Sequence, residues 1–88
     1  MRIKEGFMMR EVAGKYVVVP VGVGTYSFKG MIQMNRLGAF LWEQLKEEQT
    51  KEELTAKILE RYDVDSVQAE QDVETFTTQL LDAGILER

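Results

Sequence analysis

The 88-residue chain has no cysteine, no histidine, a single proline and a single tryptophan. Without cysteine there are no disulfide staples, thiolate metal sites or cysteine nucleophiles, which suits a reducing compartment. Without histidine the commonest general base and the commonest metal ligand are missing together, so only carboxylates and lysines remain for acid–base work. Long apolar runs are also missing. Residues 17–21 form a run far too short to span a bilayer, and nothing of signal-peptide length follows the charged start Met1-Arg2-Ile3-Lys4-Glu5-Gly6. The expectation is one cytoplasmic domain over residues 1–88, with no membrane partner, no metal, no cofactor and no catalytic residue.

What is present is 44% hydrophobic residues and a net charge of −4. At this length one core is only marginally sufficient, so the apolar residues must be used efficiently. The acidic balance disfavours non-specific attraction to phosphate backbones and suits partners with basic surface.

Residues 7–12 and 15–21 are short runs of large apolar and β-branched residues separated by Ala13-Gly14, a hairpin signal with Gly14 at a positive-φ position. Pro20 cannot donate to a ladder and belongs at a strand end or edge. Val21-Gly22-Val23-Gly24-Thr25 reads as a loop; a phosphate cradle needs its glycines to run into a helix, and here Tyr26-Ser27-Phe28 intervenes. Gly30-Met31-Ile32-Gln33-Met34-Asn35 then reads as a last strand turning straight into a helix, with Asn35 as N-cap.

The first helix is expected over 36–46, with Leu37, Phe40, Leu41 and Leu45 inward and Trp42 beside them as a core or boundary ring. Thr50-Lys51-Glu52-Glu53 is a capping box opening a second helix that carries Leu54, Ile58, Leu59 and Tyr62 inward. Asp65-Ser66-Val67-Gln68 reads as a second capping box. The third helix runs to Ala83, where Gly84 offers a left-handed C-cap and Ile85-Leu86 packs back or adds a short strand. Its core stripe is Ala69, Val73, Phe76, Leu80 and Ala83. One flank, Asp72 and Gln79, reads as solvated. The other, with Glu70, Thr77 and Leu81 and with Glu74 and Val67 beyond, mixes polar and apolar groups and is either a groove wall or the seat of Ile85 and Leu86.

Strands followed by three helices with short connections make an α+β domain: a small three-stranded antiparallel sheet followed by three helices, winged helix-turn-helix-like. A DNA-binding regulator is the alternative reading for such a fold. Its recognition helix would want basic residues, yet residues 66–83 contain no Lys or Arg, against Glu70, Asp72, Glu74 and Asp82. Acidic residues such as Glu52 and Glu53 sit in a capping context, so an enzyme built on them is disfavoured.

The succession Glu11-Val12-Ala13-Gly14-Lys15-Tyr16-Val17-Val18-Val19-Pro20, Phe28-Lys29-Gly30-Met31-Ile32-Gln33-Met34-Asn35 and Gly38-Ala39-Phe40-Leu41-Trp42-Glu43-Gln44-Leu45 resembles the PqqD family. So do Thr50-Lys51-Glu52-Glu53-Leu54, Arg61-Tyr62-Asp63, and the segment from Asp72-Val73-Glu74 to Leu80-Leu81-Asp82-Ala83-Gly84-Ile85-Leu86. The resemblance implies a peptide chaperone, a recognition element for ribosomally synthesised and modified peptides. Such a domain binds the leader segment of a precursor peptide and presents it to a modifying enzyme, often a radical S-adenosylmethionine protein. It implies that the leader adds as a strand to the edge Met31, Ile32, Gln33 and Met34 and lies against the third helix. Together with the helical wheel, it puts the wall at Glu70, Val73, Glu74, Thr77 and Leu81. The methionines suit a surface that accepts varied partners, because unbranched thioethers repack easily. Alternation leaves two choices for the side chains that meet the peptide: Met31 and Gln33, or Ile32 and Met34. An open sheet edge also invites a homodimer or a domain swap.

Overall fold

The computed structural model describes residues 1–21 and 32–88. The glycine-rich loop and Met31 lie outside the described residues. In chain order the elements are β1 (Arg2–Ile3), β2 (Phe7–Val12), β3 (Lys15–Pro20), β4 (Ile32–Met34), α1 (Arg36–Gln44), α2 (Lys51–Arg61), α3 (Ser66–Asp82) and β5 (Leu86–Glu87). Strands β2, β3 and β4 form one antiparallel sheet in that order, and β1 pairs with β5 in a second. The α+β class, with its three-stranded sheet ahead of three helices, is as the sequence implied.

The β2–β3 hairpin turns on Ala13 and Gly14 alone, since Val12 already pairs with Lys15. Both turn residues have positive φ, 52° and 79°. That is the pattern a two-residue turn needs to match the twist of its strands. Pro20 closes β3 opposite Phe7, where Val21 N donates to Gly6 O at 2.7 Å. Strand β1 was not expected. It is too short to show alternation, and its partners come from the far end of the chain. Ile3 N donates to Leu45 O at 2.9 Å and Lys4 N to Ile85 O at 2.8 Å.

The helix ends follow their side chains. Asn35 Oδ1 accepts from Gly38 N at 2.8 Å, starting α1 directly after β4. The Thr50–Glu53 capping box is reciprocal, with bonds of 3.0 and 2.9 Å. At α3 only half of the expected box forms. Asp65 Oδ1 accepts from Gln68 N at 2.8 Å, but the Gln68 amide turns outward and donates to Asp72 Oδ1 at 2.8 Å. Gly84, at φ 75°, closes α3 with paired bonds, Ile85 N to Leu80 O and Gly84 N to Leu81 O, of 2.9 and 3.1 Å. This double closure requires a left-handed residue, for which glycine has no steric penalty.

The core unites Val18 and Met34 of the sheet with Leu41, Trp42 and Leu45, Leu54 and Ile58, Ala69, Val73, Phe76 and Leu80, and with Ile85 and Leu86. Trp42 is fully inside rather than at the boundary, and Phe40 is only half-buried. Leu59, expected inward, is exposed, because the inner line of α2 runs through Leu54 and Ile58 and Leu59 lies one residue round the helix from it. Ile85 and Leu86 pack back and also form β5, so both expectations for that segment hold together.

Candidate functional site

Among the described residues β4 is bonded only to β3, through Tyr16↔Met34, Val17↔Gln33 and Val18↔Ile32, so its other edge is open. An open edge presents backbone N–H and C=O groups to any further extended chain. Alternation places Ile32 and Met34 toward the helices, half-buried and buried, and leaves Gln33 exposed on the opposite face. Of the two choices left by the sequence, Ile32 and Met34 are the ones on the helical side.

On the side of β4 away from β3 lies a hollow of about 200 Å³. Gln33, Met34 and Asn35 form one rim, Leu37, Gly38 and Leu41 of α1 the floor, and Asp72, Thr75, Phe76 and Gln79 of α3 the far wall. Its shape depends on Gly38. A Cβ at this position would lie 3.2 Å from Met34 Cβ, 3.4 Å from Asn35 Oδ1 and 3.4 Å from Phe76 Cε1. The glycine lets α1 approach β4 closely beside Phe76 of α3, and a side chain there would press α1 and β4 apart by a few tenths of an ångström. The floor is apolar, and among the described residues the lining carries one carboxylate, Asp72, and no Lys or Arg.

The structure does not bring the expected wall to this edge. Glu70, Val73 and Glu74 border a different hollow, together with Lys51, Thr55 and Leu59 of α2. Glu74 is held there by Lys51 at 2.7 Å. The hydrogen bond and charge of that ammonium keep the exposed Glu74 carboxyl below the usual carboxylate range. Thr77 is fully buried in the core, its hydroxyl donating to Val73 O at 2.8 Å, and Leu81 is half-buried against the core. A helical threonine can be buried because its hydroxyl returns a bond to its own helix. The wall beside β4 is instead the flank that reads as solvated, with Asp72 and Gln79 at its polar margin and Phe76 below. One sequence signal pointed that way: a glycine inside a helix, Gly38, which costs stability unless close approach requires it.

The family model described as Coenzyme PQQ synthesis protein D (PqqD) matches residues 13–86. The chain belongs to the PqqD family. The match takes in β3, β4 and all three helices, and so the whole lining of the hollow. No curated protein matches the chain significantly. Among solved structures it is similar to TbiB1 in complex with the TbiA(beta) leader peptide, with a TM-score of 0.75 and 23% identity over 99% of this chain and 95% of that one. It is also similar to a lasso peptide synthetase B1 complexed with the leader peptide, with a TM-score of 0.73 and 17% identity over 99% of this chain and 96% of that one. At these identities the likeness is one of fold, and it extends from end to end of each chain. As a PqqD-family domain the chain displays, among the described residues, an open strand edge and a groove beside it, with a third helix that has no Lys or Arg. Among the described residues no helix is long and apolar enough to cross a membrane.

Proposed function

We propose that this chain binds the leader segment of a ribosomally synthesised precursor peptide as an added strand on β4 and presents it to a modifying enzyme. The open β4 edge beside an apolar-floored groove carries this reading. Backbone bonding along the edge supplies affinity that hardly depends on sequence, while pockets for alternate side chains select the peptide. Ile32 and Met34 lie under the added strand, Leu37, Leu41 and Phe76 receive its inward side chains, and Thr75 and Gln79 line the far margin. Asp72 favours a leader with a basic residue at the matching position. Membership of the PqqD family and the two similar folds, each in complex with a leader peptide, support this reading. The domain acts as an adaptor in the cytoplasm, without catalysis of its own, and its enzyme partner belongs to the class that modifies peptides, a radical S-adenosylmethionine protein being the first candidate.

Titration of the isotope-labelled domain with its cognate leader is expected to move the amide signals of Ile32, Gln33 and Met34 together with those of Thr75 and Gln79. Unmoved signals at saturating leader would reject strand addition at β4. Thr75→Arg fills the groove from an exposed position and should weaken leader binding at least about tenfold while changing stability by no more than about 0.5 kcal/mol.

The DNA-binding alternative is disfavoured by electrostatics. Helix α3 carries Glu70, Asp72, Glu74 and Asp82 and no Lys or Arg of its own; Lys51 of α2 offsets Glu74, and the remaining carboxylates would repel a phosphate backbone.

A further inference from the structure

Helix α1 has a hollow on each side. The groove beside β4 is one; the other, of about 470 Å³, lies between the β2–β3 side of the sheet and the end of α2. Its lining includes Met9, Tyr16, Arg36, Phe40, Arg61 and Tyr62. The Phe40 and Tyr62 rings meet edge to face at 5.6 Å, and the Arg61 guanidinium lies 5.2 Å from the centre of the Phe40 ring. Lys57 borders the adjoining depression with Phe40 and Arg61.

The charges here run against the rest of the surface. The chain has 15 acidic residues and 11 basic ones, yet Arg36, Lys57 and Arg61 make no ion pair among the described residues. Of the carboxylates lining the two depressions, Glu43 is taken by Lys46 at 3.1 Å, which leaves Glu60 beside Lys57 and Arg61. Arg61 has a local reason to be where it is: the last turn of α2 welcomes a cation and the Phe40 ring attracts it. Arg36 has none. It is the first residue of α1, a helix with no acidic residue in its first turn, so its charge sits at the positive end of the helix dipole, where it is unfavourable.

We propose that this hollow is a second docking site, which takes an acidic segment bearing an aromatic side chain from the enzyme that acts on the bound peptide. Guanidinium groups match carboxylates with paired hydrogen bonds, and the Phe40–Tyr62 pair offers an aromatic wall for the intervening ring. Because α1 separates the two hollows, a leader on β4 and an acidic segment here can be held together, as presentation of one partner to another requires. The identity of the partner rests on the leader-binding reading; the site does not.

The test titrates the labelled full chain with an acetylated, amidated peptide Asp-Glu-Phe-Glu-Asp, and separately with its neutral counterpart Asn-Gln-Phe-Gln-Asn. The acidic peptide is expected to give saturable shifts at Phe40, Arg61 and Tyr62 that persist with leader bound. Binding is expected to be at least about tenfold weaker for the neutral peptide and for the double variant Arg36→Glu with Arg61→Glu. Arg36→Gln, which removes the charge without reversing it, should weaken binding by a smaller factor with a melting temperature no lower than wild type, since it also removes a cation from the positive end of α1. No shifts, equal binding of the neutral peptide, or shifts confined to β4 and α3 would overturn the proposal. Leader titration in parallel separates the two readings. Loss of acidic-peptide binding with the leader response intact rejects the second site alone; acidic-peptide binding without any leader response keeps the site and rejects the leader reading.

Discussion

Replacing Gly38 by alanine sets two effects of known sign against each other. Alanine is the better helix former by about 1 kcal/mol at an interior position. The new methyl, however, would meet Met34 Cβ at 3.2 Å and both Asn35 Oδ1 and Phe76 Cε1 at 3.4 Å. Two of these neighbours cannot yield cheaply. Met34 Cβ is fixed to the backbone of β4, and Asn35 Oδ1 is the atom that caps α1 through Gly38 N itself. Overpacking of this kind costs about 1–3 kcal/mol, and a weakened cap up to about 1 kcal/mol more. The balance is a net loss of up to about 3 kcal/mol, and its midpoint of about 1.5 kcal/mol lowers the melting temperature of a domain of this size by roughly 6–12 °C. The same displacement widens the spacing of α1 from β4, so leader affinity should fall with stability. Thermal melting and urea titration of Gly38→Ala test the first part, and leader titration below the melting range tests the second. A variant that melts at or above the wild-type temperature would show that the close approach does not constrain α1.

Four further substitutions probe other parts of the structure. Thr77→Arg forces a charge into a fully buried site and should unfold the domain or cost more than about 4 kcal/mol; near-native circular dichroism and melting for this variant would contradict the placement of Thr77. Ala13→Asn puts a residue that tolerates positive φ at a turn position where alanine is strained, and should raise stability by up to about 1 kcal/mol in denaturant titrations, whereas no gain would argue against that turn geometry. Thr50→Ala removes one half of a reciprocal capping box and is expected to cost about 1 kcal/mol by the same measurement. Lys51→Met frees Glu74, whose folded-state carboxyl titrates below its unfolded value; the stability this supplies is present above the ordinary carboxylate range and lost as pH falls through the lowered value. Carboxyl-resolved NMR titration should therefore show the Glu74 midpoint rising in Lys51→Met, and the variant should lose less stability than wild type on acidification.

Much of the fold was legible because it is written in local chemistry. Asn35, Thr50 and Gly84 are read by their own neighbours within three or four residues, and the structure uses each at the position expected of it. The alternation in residues 32–34 likewise sets the face to which Ile32 and Met34 turn once one side of the strand is covered. Strand β1 escaped notice because Arg2 and Ile3 pair with Glu87 and Leu86, and Ile3 N donates to Leu45 O, all more than forty positions away.

The sequence by itself determined that there would be a three-stranded sheet, three helices, no histidine or cysteine chemistry, and a strand running directly into α1. It also carried the resemblance that the family match made firm. Which flank of α3 meets β4 was decided only in three dimensions. A helical wheel ranks the faces of one helix by polarity, but how α3 lies against its neighbours is fixed by packing, here by the buried line Val73, Phe76, Thr77 and Leu80 and the close approach of Phe76 to Gly38. That packing turned Asp72, Thr75 and Gln79 toward the open edge and, on the other flank, took Thr77 into the core and half-buried Leu81 while leaving Val67, Glu70 and Glu74 exposed. On α1 it also left Arg36 and Phe40 facing a second hollow that no periodicity announced, because its walls come from β2, β3, α1 and α2, brought together only by folding.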